Sequence, residues 1–320
     1  MSELLSIVVL TKDEAANIAD CLDAVLAQLR RGDEVIVVDS ASKDETVSLA
    51  ERYCYQHAGV VRMHAFPENV TFGAARHTGV DMARHDLVVF LSADATPEKG
   101  WLDALRDAAE NADVVYGRQR HAPPRQDVVT VSRGLRYHHF ENPGDGLPER
   151  FASNVNAAYR KYAFQQVQFD EELAGSEDVA FAKQARLAGL RIAYAPTAVV
   201  GHKDVATWRG EWRKHKREGA AHAQLRTVLG APKAHIAWAV LVAGMMLIAL
   251  VGHSLWMLVA ATMVFFAPTM RRVFSPVAKR YKTLPLVGGA LASPVFDMAF
   301  VISFIARAIS NVTRPRRQLA

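Results

Sequence analysis

Short runs of consecutive apolar residues alternate with amphipathic segments over the first third of the chain. The apolar runs lie at residues 6–10, 34–38, 60–64, 87–91 and 113–116. Segments with apolar residues at helical spacing separate them, at residues 14–28, 43–53, 72–84 and 97–109. The last of these helices is predicted to begin at Pro97, because proline is favoured in a first turn. Continuous apolar strands that alternate with helices predict an α/β fold with a mostly parallel sheet.

The middle of the chain has a different pattern. Prolines, glycines and polar residues concentrate between residues 118 and 150, which predicts a mobile loop-like segment. Regular structure is predicted to resume over residues 151–169. A helix is predicted at residues 177–188, and short strands at 191–194 and 198–200.

A basic amphipathic helix is predicted at residues 203–226. It contains seven Lys/Arg and three Asp/Glu residues, a net charge of +4, and it places Val205, Trp208 and Trp212 on one face. Tryptophan flanked by basic residues is typical of a helix that lies in a membrane interface. The alternative is a helix that packs its tryptophans on the preceding domain.

Long apolar runs dominate the C-terminal part, at about residues 235–251, 255–270 and 284–306. Basic clusters flank all three runs, and three simple spans would put the last cluster on the wrong side for the positive-inside tendency. We therefore predict helical hairpins that turn near Gly252 and Pro294, rather than three spans or a wholly soluble helical domain. The chain is divided into residues 1–226 and a membrane-associated region, 227–320.

Composition narrows the range of functions. The net charge of +5 and the pI near 9.2 do not predict a nucleic-acid partner, but they suit an anionic membrane surface or phosphate-bearing substrates. Two cysteines without metal-ligand spacing predict neither a disulfide framework nor a zinc site. The N-terminus does not resemble a signal peptide, so we expect the first domain to be cytoplasmic.

Two carboxylates follow predicted strands directly. Asp39 follows the second strand, and Asp94 lies just beyond the fourth. Ligands of parallel α/β sheets bind at the carboxyl ends of the strands, so these residues are candidate ligand contacts. The first strand–helix turn has no glycine-rich fingerprint and the chain has no P-loop, which argues against a dehydrogenase and a P-loop enzyme.

Four stretches of the chain resemble glycosyltransferase family 2, the inverting enzymes of GT-A fold. They are SIVVLTKDEAANIADCLDAV, DEVIVVDSASKDET, NVTFGAARHTGVDMARHDLVVFLSADATP and AGSEDVAFAKQARLAGLRIAYAPTAVVGH. The resemblance covers about residues 4–226 and implies a Rossmann-like GT-A domain. Ser92 replaces the first carboxylate of the Asp-x-Asp that is usual in the family. A serine there, together with YGRQ at residues 116–119, is similar to rhamnosyltransferase members.

The resemblance implies roles for particular residues. Thr11, Glu14 and Asp39 would line the nucleotide pocket, and an acceptor-only carboxylate suits hydroxyl or imide donors. Arg76 and Arg118 would bind phosphate; the alternative for each is a surface ion-pair residue. Asp94 and His202 would hold Mg²⁺ or Mn²⁺, which neutralises a leaving diphosphate. The alternatives are a helix N-cap for Asp94 and a structural hydrogen bond for His202.

Asp178 matches the position of the family's general base, and its neighbour Glu177 would orient a donor or acceptor group. Both could instead simply favour the first turn of a helix. We predict a glycosyltransferase that uses a UDP- or dTDP-linked sugar such as rhamnose, and a membrane-bound, lipid-linked glycan acceptor at the cytoplasmic face of the inner membrane. The alternatives are a polyprenyl-phosphate glycosyltransferase and a non-catalytic nucleotide-binding membrane scaffold.

Overall fold

The computed structural model describes residues 3–121, 127–137, 151–173, 175–202, 207–224, 233–252, 255–273 and 283–313. The chain divides into two compact units. The sheet unit comprises Met1–Ala122 and His139–Asp204, and the helical unit comprises Pro123–His138 and Val205–Ala320. The predicted domain boundary after residue 226 stays a prediction.

The strands of the sheet unit are β1 (Leu5–Thr11), β2 (Glu34–Asp39), β3 (Val61–Ala65), β4 (Leu87–Ser92), β5 (Ala95–Pro97), β6 (Val114–His121), β7 (Asn156–Arg160) and β8 (Ile192–His202). They form one sheet in the order β3-β2-β1-β4-β7-β6-β8-β5. The first four strands in this order are mutually parallel, and β6 is parallel to β8. Strand β7 is antiparallel to β4 and β6, and β5 is antiparallel to β8. The α/β class is therefore confirmed, with antiparallel insertions that the sequence did not reveal.

The helices, numbered along the chain, are α1 (Ile18–Leu26), α2 (Thr46–Gln56), α3 (Phe72–Met82), α4 (Trp101–Ala109), α5 (Val128–Tyr137), α6 (Ala163–Gln166), α7 (Glu177–Leu187), α8 (Trp208–Gln224), α9 (Lys233–Val251), α10 (Leu255–Val273) and α11 (Thr283–Thr313). Helices α5 and α8–α11 belong to the helical unit, and the others flank the sheet. Helix α5 lies within the segment predicted as loop. The rest of that segment is mostly outside the described residues.

Two apolar layers enclose the sheet, one on each face. Successive residues of β1 point to opposite faces, so Ile7 and Val9 join one layer and Val8 joins the other. Helix α3 approaches β1 very closely, because a Cβ added at Gly79 would lie 2.4 Å from Val8 Cγ1. Packing at this contact therefore requires glycine at position 79, the last residue of Ala-Arg-His-Thr-Gly at 75–79.

One prediction for this unit was wrong, and another was incomplete. Pro97 does not begin a helix, since it ends strand β5 and the next residue continues the pairing through Glu98 N–H, which donates to Val199 O at 2.9 Å. Helix α4 begins only after Gly100, whose φ of +84° turns the chain. The two short strands predicted at residues 191–194 and 198–200 belong to one strand, β8. Its residues 192–195 and 199–202 pair with β6 in two stretches, which a register shift separates.

In the helical unit, α9 and α10 form an antiparallel hairpin. Trp238 Nε1 donates to Val264 O at 2.9 Å, and the rings of Trp238 and Phe265 stack. The turn near Gly252 is therefore confirmed. The second predicted hairpin is wrong, because α11 is one helix of 31 residues that continues through Pro294. A proline removes a single backbone hydrogen bond, which long helices tolerate.

Helix α11 also packs against α8. A Cβ at Gly219 would lie 2.2 Å from Phe300 O, and Trp208 contacts Phe296 with ring centroids 5.1 Å apart. Trp208 and Trp212 are nevertheless 51% and 38% exposed, whereas Val205 lies outside the described residues. Within α11, residues Leu291–Ala308 are long and apolar enough to cross a membrane, and the apolar stretches of α9 and α10 are shorter.

Candidate active site

Thr11 and Asp39 lie side by side where β1 and β2 end, as partners in the parallel register. Asp39 is fully buried, and its carboxylate accepts hydrogen bonds from the backbone N–H of Ser42, at 2.9 Å, and from the Ser42 hydroxyl. Thr11 Oγ1 is buried and has no hydrogen-bond partner among the described residues. A buried hydroxyl without a partner, next to a buried carboxylate, is an uncommon feature that a bound ligand would explain.

The two loops that follow β1 and β2 hold each other in place. Glu14 N–H donates to Thr46 Oγ1 at 2.8 Å, and Lys43 N–H donates to Asp13 Oδ1 at 2.7 Å. Asp13 and Ala41 adopt left-handed backbone conformations, with φ of +53° and +54°. Left-handed non-glycine residues are costly and concentrate at functional sites. These loops form a preorganised rim beside Thr11 and Asp39.

Strand β5 brings Asp94 to His202. Ala95 pairs with His202 in antiparallel register, which places the preceding Asp94 carboxylate 3.1 Å from His202 Nε2. Glu14 lies near both, and its pKa is raised, first by burial and further by the negative charge of Asp94. One carboxylate and one imidazole leave positions for other oxygen ligands, as in Mg²⁺ sites completed by substrate phosphates. Among the described residues, no group of three His, Cys, Asp or Glu side chains could hold a metal ion by itself. Asp94 and His202 therefore fit a divalent ion only if a diphosphate completes its ligands.

Ser92 and Arg118 lie nearby in the sheet. Ser92 ends β4 opposite Leu10 of β1, and its side chain is half-buried. Arg118 follows an irregularity in β6 after Gly117, and its Nε has no hydrogen-bond partner among the described residues. Ser92 thus lies at the edge of the sheet that holds Thr11 and Asp39. The roles assigned to Ser92 and Arg118 stay predictions.

Glu177 and Asp178 open helix α7. The preceding residue, Ser176, has a left-handed φ of +60°, and Asp178 accepts hydrogen bonds from the backbone N–H groups of Asn154 and Val179. Burial, together with the adjacent charge of Glu177, raises the pKa of Asp178 to about 7. A half-buried carboxylate with this pKa can accept a proton near neutral pH.

The side chain of Arg76 is buried. Its guanidinium forms an ion pair with Glu177 across α3 and α7, two residues 101 positions apart. The side chain is 6% exposed and lies against three phenylalanine rings. The sequence left a phosphate ligand or a surface ion-pair residue as interpretations of Arg76. The structure shows an ion pair that is buried rather than at the surface, and phosphate binding by Arg76 stays a prediction.

Two asparagines at this edge were missed by sequence reasoning. Asn156 donates from Nδ2 to Arg118 O and Ala198 O, at 3.0 and 2.8 Å, and its Oδ1 accepts from Trp101 Nε1 at 2.7 Å. Asn154 is 1% exposed, and its Oδ1 accepts from the Tyr159 hydroxyl. Both lie at the start of β7, whose antiparallel direction brings that start to the edge where β4 ends. The sequence signal that could have identified them is two asparagines, at positions 154 and 156, next to an apolar strand.

Comparisons with known proteins agree with this geometry. Residues 6–168, just over half of the chain, match the glycosyl transferase family 2 domain. The O-antigen chain rhamnosyltransferase RfbN of Salmonella typhimurium is 29% identical over 63% of this chain and 67% of its own length. The O-antigen chain rhamnosyltransferase WbaN of Salmonella anatum is 28% identical over 61% of this chain and 64% of its own length. The pre-mycofactocin glycosyltransferase of Mycobacterium tuberculosis is 31% identical over 58% of this chain and 40% of its own length. The chain thus spans about two thirds of the first two relatives and less of the third.

Solved structures share the fold. The mannosyltransferase PcManGT from Pyrobaculum calidifontis, solved with GDP-Man and Mn²⁺, aligns with a TM-score of 0.60 at 20% identity, over 95% of this chain and 88% of that chain. TarS residues 1–349 of S. aureus, solved with UDP-GlcNAc, aligns with a TM-score of 0.50 at 18% identity, over 98% of this chain and 93% of that chain. The matched domain and the architecture of the sheet establish that the chain belongs to glycosyl transferase family 2 and has the GT-A fold.

Proposed function

We propose that this glycosyltransferase moves a sugar from a nucleoside-diphosphate sugar to a hydroxyl of a membrane-associated, lipid-linked glycan, with inversion at C1. The observation that carries the proposal is the half-buried Asp178 carboxylate. It accepts a hydrogen bond from Asn154 N–H, just before β7 and beside the end of β4, and its pKa is raised to about 7. A base of this pKa is half deprotonated near neutral pH and takes the acceptor proton as the hydroxyl attacks C1.

The nucleotide would bind where β1 and β2 end, in a recess formed by the loops that follow these strands. Asp39 accepts hydrogen bonds from ribose hydroxyls or a base imide, and the orphaned Thr11 hydroxyl supplies a further polar contact. Glu14 borders the same recess, and Arg118 offers a cation for the diphosphate. The preorganised rim would orient the donor so that C1 faces the acceptor hydroxyl.

Asp94 and His202 would hold Mg²⁺ or Mn²⁺, and such an ion would neutralise the charge that develops on the departing diphosphate. The Mn²⁺ in the structure of PcManGT supports this role. Ser92, in place of a carboxylate, leaves a site with fewer charges, where phosphate oxygens of the donor would complete the ligand set.

The acceptor is proposed from the helical unit and from the relatives. Apolar side chains point outward from α9 and α10, including Leu250 at 76% and Trp256 at 82% exposure. An exposed apolar hairpin flanked by basic residues suits an anionic bilayer. The O-antigen rhamnosyltransferases support a polysaccharide acceptor and rhamnose as the donor sugar to test first. We place the sheet unit at the cytoplasmic face of the inner membrane.

Release of nucleotide tests the proposal. Detergent-purified protein is incubated with UDP-, dTDP- and GDP-sugars, Mg²⁺ or Mn²⁺, and either a bacterial lipid extract or polyprenyl phosphate. We expect release that depends on one donor and on the extract. Release with polyprenyl phosphate alone would instead identify the simpler lipid acceptor. No nucleotide binding to the folded protein would contradict the proposal and favour a scaffold.

A further inference from the structure

The ion pair between Arg76 and Glu177 is fully internal to the sheet unit. The two side chains are 7% and 5% exposed, and they join α3 to the first residue of α7. Burying two charges is costly, and a buried pair is weak evidence for stability in itself. The pair lies directly beside Asp178, the proposed base, so an effect on that carboxylate would account for it.

The surroundings of Arg76 leave it little freedom. The guanidinium carbon lies 5.5 Å from the ring centroids of Phe72 and Phe169 and 5.9 Å from that of Phe90. An arginine that is stacked on aromatic rings and bonded to a carboxylate has a fixed orientation. Its charge is directed at Glu177 and is enclosed by apolar rings on the other sides.

We propose that Arg76 is a positioning residue that acts through Glu177, and that the pair fixes the start of α7 so that the Asp178 carboxylate faces the acceptor. This inference rests on the proposed role of Asp178 as base. The left-handed backbone of Ser176, with φ of +60°, lies directly before the pair. Such a conformation persists only when its surroundings hold it, and the Arg76–Glu177 pair supplies that restraint.

The two partners act on Asp178 with opposite signs. Burial and the Glu177 charge raise the pKa of Asp178, and the Arg76 charge lowers it. Among the described residues, Tyr159 of β7 also faces Asp178, and the backbone N–H groups of Asn154 and Val179 donate hydrogen bonds to its carboxylate. Removing Glu177's charge should therefore lower the pKa of the base, and removing Arg76's charge should raise it.

The test compares pH profiles of kcat for the full chain. A base is active when deprotonated, so activity falls on the acid side of its pKa. For Glu177→Gln we expect the acid limb to move to lower pH, and for Arg76→Gln to higher pH, each by about one unit. We also expect Arg76→Gln to lower kcat by about 10- to 100-fold while the Kd of the donor stays within about twofold.

Arg118→Gln is the matched variant, since it removes an arginine for which phosphate binding is still predicted. It should raise the Kd of the donor and leave the acid limb in place. Arg76→Lys, which keeps the charge, should hold the acid limb closer to that of the wild type than Arg76→Gln does. If Arg76→Gln does not fold, Glu177→Gln and Arg76→Lys decide the question.

Two results would overturn the positioning role. One is a raised Kd of the donor in Arg76→Gln with an unmoved acid limb, which would make Arg76 a phosphate ligand. The other is an acid limb that moves in the same direction, or not at all, in both charge-removing variants. Failure of the proposed function is separate, because an Asp178→Asn variant that keeps the acid limb would show that Asp178 is not the base.

Discussion

The two units use apolar residues in opposite ways. In the sheet unit, strand residues such as Val9 and Phe90 are completely buried, and polar side chains gather where the strands end. In the helical unit, Leu250 and Trp256 of the α9–α10 hairpin are largely exposed. Buried apolar residues stabilise the packing of the sheet unit. Contiguous exposed apolar residues, as on the hairpin, are typical of a surface that binds a membrane or another protein. In the function proposed above, the buried apolar residues of the sheet unit support the active site, and the exposed apolar residues of the helical unit attach the protein to a membrane.

The largest expected effect tests the sheet unit. Asp178→Asn keeps the shape of the side chain but removes the base, so we expect kcat to fall by about 10³-fold. The Kd of the donor should stay within about twofold, because the nucleotide site is proposed at the ends of β1 and β2. Steady-state kinetics and calorimetry measure both quantities. Activity within tenfold of the wild type would contradict the assignment of the base.

A smaller loss of activity is expected when the carboxylate of Asp94 is removed. Asp94→Asn should lower kcat/KM by about 10²-fold and weaken the dependence of nucleotide binding on Mg²⁺ or Mn²⁺. Titration of nucleotide with and without the ion measures this coupling. The control is Asp103→Asn, an exposed carboxylate on α4. Equal metal dependence in both variants would argue against a metal at Asp94.

The helical unit is tested by a charge at the hairpin tip. Trp256→Glu should reduce binding to anionic vesicles by at least about tenfold, because a charge in an apolar layer is costly. Tyr55→Glu is a matched control, since Tyr55 is 89% exposed but lies on α2 of the sheet unit. Vesicle flotation measures both. If both variants bound like the wild type, the hairpin would not be the attachment surface.

The smallest effect concerns the stability of the sheet unit. Hydrogen bonds from Arg191, opposed by burial, lower the pKa of Asp113 to about 2, with a further hydrogen bond from Tyr162. A lowered pKa stabilises the fold above the unfolded value near 4, and this stability is lost as pH falls towards 2. The contribution is at most about 2 kcal/mol.

Asp113→Asn should therefore lower Tm at pH 7. The difference from the wild type should shrink by about half at pH 3 and disappear only as pH falls to about 2. Thermal unfolding across this range measures the difference, with Asp107→Asn on the exposed face of α4 as control. A constant difference in Tm from pH 7 to pH 3 would show that Asp113 contributes by packing rather than by its charge.

Local pattern predicted much of the fold. The parallel strands were predicted to within a residue or two at most ends, because continuous apolar runs have few alternatives in an α/β chain. The direction of β7 and the existence of β5 were not predicted. Both depend on which strand lies alongside in the fold, and no local signal determines that.

The candidate site shows the same limit. Asp39 and Asp94 were selected because they follow predicted strands, and Asp178 because it matches the position of the family's general base; their roles stay predictions. The ion pair of Arg76 could not be assigned, since its partner is 101 residues away. Likewise, Pro294 was predicted to turn the chain, but the rest of α11 continues the helix around it. Long-range partners, rather than residue types, decide such cases.

The configuration at C1 of the product tests the central claim most directly. Once a donor is identified, the transferred sugar is labelled with ¹³C at C1, and NMR follows its one-bond carbon–proton coupling during the first turnovers. Single displacement with Asp178 as base predicts that the product has the opposite anomeric configuration to the donor. A product with retained configuration would contradict the mechanism, because one displacement assisted by one base cannot retain it.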